Sequence, residues 1–259
     1  DYCHMDDALM AEAGNLFDGY DQDAKMIPSH LKSGQKVDGL NIGGWHDAGD
    51  FDLRVESQSG ESFILAMAYE AFHPELDVTS IDQHKHVTEI HQADGKNDLL
   101  QQVENGALTV VAGYKALGRL YRGIICNQLR QYVLLGDASA MTDGVKGNSD
   151  DRWVFTENNP GRELSTAANL AATGRVLRGF NDTLSVQCID IAKALYDQIQ
   201  VANNPRLLSS HLTAAAELYL ATEERIYLDE IIANQEAICG QMIDRVAWQL
   251  ARVEQKCHE

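Results

Sequence analysis

The sequence lacks any run of apolar residues long enough to cross a bilayer, although 44% of its 259 residues are hydrophobic. Basic residues are also scarce, because 21 lysines and arginines stand against 39 aspartates and glutamates and give a net charge of −18. A charge of this sign repels phosphate backbones and anionic membrane surfaces. Neither a nucleic acid nor a membrane is therefore expected as a partner.

Cysteine pairs at short spacing are lacking as well. The five cysteines include no Cys-x-x-Cys, which excludes zinc-ribbon spacing and a redox motif of that type. Their odd number argues against a dense disulfide framework. The chain begins at Asp1 without a basic segment followed by an apolar stretch. We therefore expect any signal peptide to have been removed or to lie upstream.

Stretches that alternate apolar and polar residues over the length of a strand are nearly absent, which disfavours a parallel sheet, a sandwich and a nucleotide-binding βαβ unit. Apolar residues instead recur at intervals of three and four. This period predicts helices within residues 57–72, 98–120, 164–177, 184–195, 208–221 and 225–253. Short connections at 180–182 and 222–224 predict helical hairpins. The predicted fold class is all-α, and the pattern alone leaves a ring of hairpins, an open solenoid and a bundle as alternatives.

The length predicts one domain over residues 1–259, since it lies near the upper limit for a single hydrophobic core. Residues 1–56 are polar and interrupted by glycines, which is typical of a loop-rich segment. Residues 57–259 are expected to form the helical hairpins.

Two carboxylates lie three residues apart in the loop-rich segment, within Gly43-Gly44-Trp45-His46-Asp47-Ala48-Gly49-Asp50-Phe51-Asp52. The intervening glycine permits a tight turn from which Asp47 and Asp50 can converge on one water. Hydrolysis of a glycoside with inversion needs such a general base, and Trp45 offers a face on which a sugar ring can stack. An ordinary surface turn, or part of a calcium loop that includes Asp52, explains the same residue types.

The segment 43–52, called the signature segment below, resembles the Gly-Gly-Trp-(His/Tyr)-Asp-Ala-Gly-Asp motif of glycoside hydrolase family 9, which it matches at eight consecutive positions. Residues 97–103 are similar to the family's Pro-Asp-Leu-Leu-Asp-Glu-Val, with differences that include glutamines at 101 and 102. Residues 170–179 and 214–222 resemble two further family helices. Residues 2–7 resemble the junction that follows an immunoglobulin-like module in bacterial members. The resemblance thus extends over most of the chain.

This resemblance implies an (α/α)6 barrel, complete or shortened, that hydrolyses β-1,4-glucosidic bonds of cellulose or related β-glucans. Asp50 corresponds to the general base of an inverting mechanism, and Asp47 to a residue that helps to hold the attacking water. Trp45 and His46 are the predicted substrate-binding residues. The implied partner is a β-glucan polysaccharide or oligosaccharide. The resemblance also implies a bacterial protein secreted to the periplasm or the extracellular space, with an N-terminal immunoglobulin-like module in the full-length form.

The sequence departs from the family where the general acid is expected. Members carry a glutamate in an Asn-Glu motif near the end of the module, preceded by His-His-Arg, and neither motif is recognisable here. Glu254 and Glu259 lie near the end of the sequence, but they are interpreted as solvated charges. A shortened module that binds β-glucan without hydrolysing it is therefore the alternative function. A helical-repeat interaction protein is a third, which leaves the signature segment unexplained.

No metal or other cofactor is expected. Some family members bind calcium beside an Asp-Glu pair, whose place Ser209-Ser210 takes here. Calcium at the acidic residues Asp18, Asp21 and Asp23 is the alternative to a solvated loop. One cluster of histidines, at His84, His86 and His91, matches neither the His-Glu-x-x-His motif nor the spacing of a zinc finger, and it is interpreted as part of a polar loop.

Overall fold

The computed structural model describes residues 8–14, 16–17, 20–46, 52–85, 87–126, 152–201 and 204–258. Contacts between residues divide the chain into two compact units. The first unit consists of Asp1–Glu61 and Pro74–Asn158, and the second of Ser62–His73 and Asn159–Glu259. The single domain over residues 1–259 stays a prediction.

The first unit contains a four-stranded sheet that the sequence analysis did not predict, with strand order β1-β8-β7-β4. Its strands are β1 Leu9–Met10, β4 Leu53–Arg54, β7 Tyr121–Cys126 and β8 Arg152–Thr156. Strand β1 is parallel to β8, and the other pairs are antiparallel, with Leu53 opposite Ile124. Strands β7 and β8 are rich in β-branched and aromatic residues, which favour strands. Their buried apolar side chains are Tyr121, Ile124, Ile125, Val154 and Phe155.

Two small antiparallel hairpins also belong to the first unit. One pairs β2 Leu16–Phe17 with β3 Tyr20–Asp21, and the other pairs β5 Thr79–Asp82 with β6 Val87–Ile90. The second hairpin, β5–β6, occupies the region interpreted from the sequence as a polar loop. Its strands escape detection because β6 is exposed along its whole length and therefore shows no apolar-polar alternation against a core.

Helix α1, Val55–Phe72, contributes residues to both units, and helix α2, Asp98–Leu117, lies in the first. The side chain of Asn97 caps α2 by accepting hydrogen bonds from the backbone N–H groups of Leu99 and Leu100. The helix ends at Leu117, and the next residue, Gly118, has a φ of 69°, in the left-handed conformation that is common after a helix end. The predicted helix over 98–120 is therefore present and three residues shorter.

The second unit is built from helices. They are α3 Pro160–Val176, α4 Asp182–Gln198, α5 Pro205–Thr222, α6 Arg225–Ala233, α7 Gln235–Ala237 and α8 Ile243–His258. A π-helical turn over Ile238–Met242 separates α7 from α8. Asparagines again precede the first three and accept hydrogen bonds from backbone N–H groups of the first turn. Helix α3 packs against α4 and α5, and α5 packs against α6 and α8.

Close helix packing explains the small residues of the second unit. A β-carbon on Gly174 of α3 would lie 2.8 Å from both the Ser185 carbonyl oxygen and an Ile189 side-chain atom of α4. The Ser185 hydroxyl donates a 2.6 Å hydrogen bond to the Gly174 carbonyl at this contact. The alanines of α5 at 214, 215 and 216 are fully buried. The predicted helical hairpins are confirmed, with a break over 234–242 in the last predicted helix.

Four charged side chains form a closed network in the second unit. Glu217 of α5 is fully buried, and its carboxylate accepts hydrogen bonds from Arg175 of α3 at 3.0 Å and from Arg252 of α8 at 2.5 Å. Glu70 of α1 accepts from both arginines as well, at 2.5 and 3.0 Å from Arg175 and 3.0 Å from Arg252. Each charge therefore has two oppositely charged neighbours, which offsets the cost of removing it from water.

A search of the described helices for a long apolar stretch found none able to span a membrane.

Candidate active site

The first four residues of the signature segment line a cavity of about 420 Å³ in the first unit. Helix α2 and the β5–β6 hairpin supply the remaining walls. The lining residues are Gly43, Gly44, Trp45, His46, Ile81, Asp82, Gln83, Val87, Thr88, Gln102 and Asn105. The volume falls within the range typical of small-molecule sites. The structure thus brings both predicted substrate-binding residues, Trp45 and His46, into one concave surface.

Two glycines allow the signature segment to lie directly against α2. Gly43 and Gly44 have φ values of 62° and 85°, in the region that favours glycine. A β-carbon on Gly43 would approach the carbonyl oxygen of Asn105 to 2.3 Å. The backbone N–H of Gly44 donates a 2.8 Å hydrogen bond to that same carbonyl. Residues with larger side chains would therefore push the segment away from the helix.

Three hydrogen bonds hold Trp45 at the edge of the cavity. Its backbone N–H donates to Gln58 Oε1 at 2.8 Å, and its carbonyl accepts from Gln58 Nε2 at 2.7 Å. The indole N–H donates to Gln102 Oε1 of α2 at 3.0 Å. The ring is half-buried, so part of its surface faces the cavity.

Side-chain amides provide much of the polar lining. Gln83, at the turn of the β5–β6 hairpin, donates to Asn105 Oδ1 at 2.8 Å, and Asn105 Nδ2 donates to the Gly44 carbonyl at 3.1 Å. Asp82 is a charged lining residue, and it forms an ion pair with Lys85 at 2.8 Å. Uncharged donors and acceptors beside an aromatic ring suit a neutral polar ligand such as a sugar.

His46 is neutral at ordinary pH. Burial lowers the pKa of its imidazole to about 4, and the positive charge of Arg152 acts in the same direction. The negative charge of Asp52 opposes this shift and does not reverse it. A neutral imidazole has one donor and one acceptor nitrogen, so His46 presents hydrogen-bonding groups without a charge.

Side-chain contacts fix the last residue of the signature segment, Asp52, next to strand β4. Asp52 is fully buried, and its Oδ2 accepts from Arg54 Nε at 2.5 Å and from the Tyr20 hydroxyl at 3.4 Å. Burial raises the pKa of Tyr20 to about 12 despite the positive charges of Arg122 and Arg54. The arginine Arg122 lies over the Tyr20 ring, 4.8 Å from its centroid. Asp52 therefore belongs to a cluster with Arg54, Tyr20 and Arg122.

The model of glycosyl hydrolase family 9 matches residues 10–255. This chain belongs to that family. A search of curated protein sequences found no match. Among solved structures, similar folds include a metagenome-derived family 9 endoglucanase, with a TM-score of 0.57 and 16% identity over 91% of this chain and 44% of that one.

Two further solved structures have a similar fold. The endoglucanase of the termite Nasutitermes takasagoensis has a TM-score of 0.51 and 17% identity over 91% of this chain and 52% of that one. The cellulase Cel9M of C. cellulolyticum has a TM-score of 0.53 and 16% identity over 98% of this chain and 60% of that one. This family 9 chain spans about half the length of the structures it matches. The predicted helical fold class is confirmed.

The two predicted catalytic residues of the family 9 motif, Asp47 and Asp50, lie outside the described residues. Their roles stay predictions. The described residues on either side, His46 and Asp52, lie in the cavity wall and next to strand β4, respectively. The side chain of Glu254 is 76% exposed at the end of α8, in agreement with its interpretation as a solvated charge.

Among the described residues, no group of three or more histidine, cysteine, aspartate or glutamate side chains could hold a metal ion. Asp23 caps a short 3-10 helix, Ala24–Met26, by accepting from the backbone N–H of Lys25 at 2.8 Å. Asp18 and His86 of the predicted acidic and histidine groups lie outside the described residues. Calcium binding at the acidic residues stays a prediction.

Sequence reasoning missed the amides that surround Trp45. Gln58, Gln83 and Asn105 carry no motif, and they come together only through folding. The sequence contained one indication of such a residue. At position 102 the chain has a glutamine where the family motif Pro-Asp-Leu-Leu-Asp-Glu-Val has a glutamate. Gln102 accepts a hydrogen bond from the Trp45 indole and lines the cavity.

Proposed function

We propose that this chain is part of an inverting β-1,4-glucan hydrolase of the endoglucanase type. The observation that carries the proposal is the cavity beside the family 9 signature segment, where an indole ring, a neutral imidazole and side-chain amides lie together. These groups match the alternating apolar faces and hydroxyl edges of a sugar ring. The solved structures with this fold are described as endoglucanases and a cellulase, which supports the same substrate class.

In this proposal Trp45 and His46 bind one glucosyl unit. Trp45 stacks on the ring, and its indole N–H stays bonded to Gln102, so the ring plane is set before the substrate arrives. His46 exchanges hydrogen bonds with hydroxyl groups as a neutral imidazole. A neutral polymer also avoids repulsion from the net charge of −18.

Asp50 then removes a proton from a water molecule that Asp47 helps to hold. The water attacks the anomeric carbon from the face opposite the leaving oxygen, which inverts the configuration. A protonated carboxyl group on the far side donates its proton to that oxygen. Inverting enzymes separate the two carboxyl groups by roughly 6.5–9.5 Å to leave room for the water. No residue of this chain is assigned as the proton donor.

A polymeric substrate requires the enzyme to act outside the cytoplasm, since cellulose does not enter cells. We accordingly propose a secreted bacterial protein that acts in the periplasm or the extracellular space. The proposal includes an immunoglobulin-like module before Asp1, on the basis of the junction-like residues 2–7.

Proton NMR of the chain incubated with cellohexaose tests both activity and stereochemistry. We expect the α-anomer of the new reducing ends to appear first. Asp50→Asn is expected to lower the rate by about a hundredfold to ten-thousandfold, because the variant cannot accept the proton from water. Asp38→Asn, the same change at an exposed turn residue, is the control and should retain the wild-type rate. Full activity of Asp50→Asn would contradict the proposed base.

A module that binds β-glucan without hydrolysing it is the second candidate. The observation that favours it is that neither the Asn-Glu motif nor the His-His-Arg motif of the family is recognisable in the sequence, so that no residue is assigned as the proton donor. Binding of cellohexaose in a calorimeter without new anomeric signals would identify this function.

A further inference from the structure

Asp98, the first residue of α2, holds the chain segment that leads into strand β5. Its carboxylate accepts hydrogen bonds from the backbone N–H groups of Val78 at 2.9 Å and Thr79 at 3.1 Å, one on each oxygen. Its own backbone N–H donates to the Leu76 carbonyl at 2.7 Å. These three hydrogen bonds tie the base of the β5–β6 hairpin to the first turn of α2.

The Asp98 carboxylate does more than begin a helix. Asn97 already caps this end of α2, because its side chain accepts from two backbone N–H groups of the first turn. Asp98 is only 8% exposed, and a buried carboxylate loses its hydrogen bonds to water. The N–H groups of Val78 and Thr79 replace those bonds. The contact with the hairpin base therefore offsets the cost of burying this side chain.

One face of α2 holds two walls of the cavity. Positions 98, 102 and 105 are spaced by four and three residues, so they lie on the same side of the helix. Asp98 binds the hairpin at its base, and Asn105 accepts from Gln83 at the hairpin turn. Between them, Gln102 accepts from the Trp45 indole of the signature segment. The helix therefore sets the place of the hairpin relative to the Trp45 ring.

The β5–β6 hairpin forms a large part of the cavity wall, although β6 is exposed along its whole length and β5 is half-buried. The lining residues that it supplies are Ile81, Asp82, Gln83, Val87 and Thr88. Asp98 is not one of the lining residues. Its side chain therefore acts on a ligand through the hairpin that it holds.

We propose that Asp98 is a positioning residue for substrate binding, which holds the β5–β6 hairpin in place as a wall beside the glucan chain. The inference rests on the proposed function, because that function gives the cavity a β-glucan ligand. Asp98 has no part in the bond-breaking step, so it favours binding of the substrate and of the transition state equally. Loss of such uniform binding raises KM and leaves kcat unchanged.

The test compares Asp98→Ala with Asp182→Ala. Asp182 is also the first residue of its helix, α4, and its carboxylate also accepts from a backbone N–H that precedes the helix, that of Gly179 at 2.7 Å. It belongs to the second unit, whereas the cavity belongs to the first.

We expect Asp98→Ala to raise KM for cellohexaose on the order of tenfold, which corresponds to the loss of one or two hydrogen bonds to the ligand. The kcat value should stay within about twofold of the wild-type value. Asp182→Ala should leave both constants close to those of the wild-type chain. Equal KM values for the two variants, or a decrease of kcat alone, would overturn the inference and leave the proposed function intact.

Asp98→Asn is the second variant, for use if alanine at this position prevents folding. It keeps the shape of the side chain and one acceptor oxygen, but its amide nitrogen cannot accept from a backbone N–H. We expect KM to rise about threefold, because one of the two side-chain hydrogen bonds remains. A KM no higher than that of the wild-type chain would contradict the role of the paired hydrogen bonds.

A double variant tests whether Asp98 acts through the hairpin. Gln83 is a hairpin residue that lines the cavity. If Asp98→Ala displaces the hairpin, the Gln83 side chain leaves the wall as well, so its removal has little further effect. The variant that combines Asp98→Ala with Gln83→Ala should bind cellohexaose within about twofold of Asp98→Ala alone. Additive losses of affinity would show that the two residues act independently, which would overturn the inference.

Hydrogen–deuterium exchange of the peptide over residues 76–82 separates failure of the inference from failure of the proposed function. Faster exchange in Asp98→Ala than in Asp182→Ala is expected, because the Val78 and Thr79 N–H groups lose their acceptors. If the wild-type chain binds cellohexaose without hydrolysis, the dissociation constant replaces KM in these comparisons. If the wild-type chain does neither, the proposed function is wrong, and exchange then decides whether Asp98 positions this wall. Faster exchange would support that role, and unchanged exchange would overturn it.

Discussion

His46 lines the cavity with a pKa that burial and the Arg152 charge lower to about 4. In the unfolded chain an imidazole has a pKa of about 6.5. Between these values the unfolded state binds more protons than the folded state, so protonation favours unfolding as the pH falls. This loss of stability is absent above the pKa of the imidazole in the unfolded chain, and it is complete below its pKa in the folded chain. His46 should therefore make the fold sensitive to acid from about pH 6.5 to about pH 4.

Replacing this imidazole should reduce the acid sensitivity. For His46→Gln we expect the free energy of unfolding to fall less between pH 7 and pH 4 than for the wild-type chain, by about 1 to 3 kcal/mol. Urea unfolding at several pH values measures the difference. His84→Gln, at an exposed position of the β5–β6 hairpin, is the control. Equal pH dependence of His46→Gln and the wild-type chain would exclude a buried neutral imidazole.

The residues of the site differ in how far the sequence predicts them. Trp45 and His46 belong to a contiguous motif, and both line the cavity, while their role in substrate binding stays a prediction. Gln58 and Asn105 lie 13 and 61 positions from their partners in the segment, at Trp45 and Gly44. An amide has no characteristic spacing, because any helix or turn can bring it to a backbone group. Such partners are visible only after the chain has folded.

The β5–β6 hairpin is the element that supplies Gln83 to the cavity. Gln83→Ala removes the donor to Asn105 Oδ1 and one polar group of the wall. Since one hydrogen bond contributes about 0.5–1.5 kcal/mol, we expect the affinity for cellohexaose to fall roughly twofold to tenfold. Isothermal titration calorimetry of the Asp50→Asn background measures binding without turnover.

The control for this prediction is Glu89→Ala, an exposed position on β6 of the same hairpin that does not line the cavity. It should bind as tightly as the unmodified background. Trp45→Ala should bind more weakly than Gln83→Ala, because it removes the stacking face as well as a polar contact. Equal affinity of Gln83→Ala and Glu89→Ala would mean that the Gln83 side chain does not contribute to binding of the ligand.

Helices were predicted better than strands for a physical reason. Helical hydrogen bonds are local, so the apolar period of α2 through α5 is visible in the sequence. Strand β7 needs β4 and β8 as partners, both distant in sequence, and adjacent Ile124 and Ile125 are both buried, which removes the alternation. The break over 234–242 was missed because the apolar pattern continues through the π-helical turn.

At the scale of the whole chain, the network of Glu70, Arg175, Glu217 and Arg252 joins four helices that are distant in sequence. The longest connection spans 182 positions. Periodicity predicts that these helices exist, but it does not show which charged residues are turned inward. A buried carboxylate between two guanidinium groups is recognised only from the packed structure.

The Glu217 carboxylate should stabilise the second unit only while its charge is present. Glu217→Gln leaves the partly buried Arg175 and Arg252 with Glu70 as their shared carboxylate. Removal of one member of a buried ion pair costs about 3–5 kcal/mol of stability. We expect a decrease of this order in the free energy of unfolding, measured with urea. Arg225→Ala, which breaks the exposed pair with Asp229, should have little effect.

A double variant distinguishes the attraction between these charges from the cost of leaving one unpaired. Glu217→Leu combined with Arg252→Met removes one charge of each sign and leaves Glu70 paired with Arg175. Because well-packed apolar residues can replace a buried ion pair at little cost, the double variant should be more stable than Glu217→Gln. If the double variant is less stable, the four charges act as a unit, and the geometry of the network contributes more to stability than charge balance does.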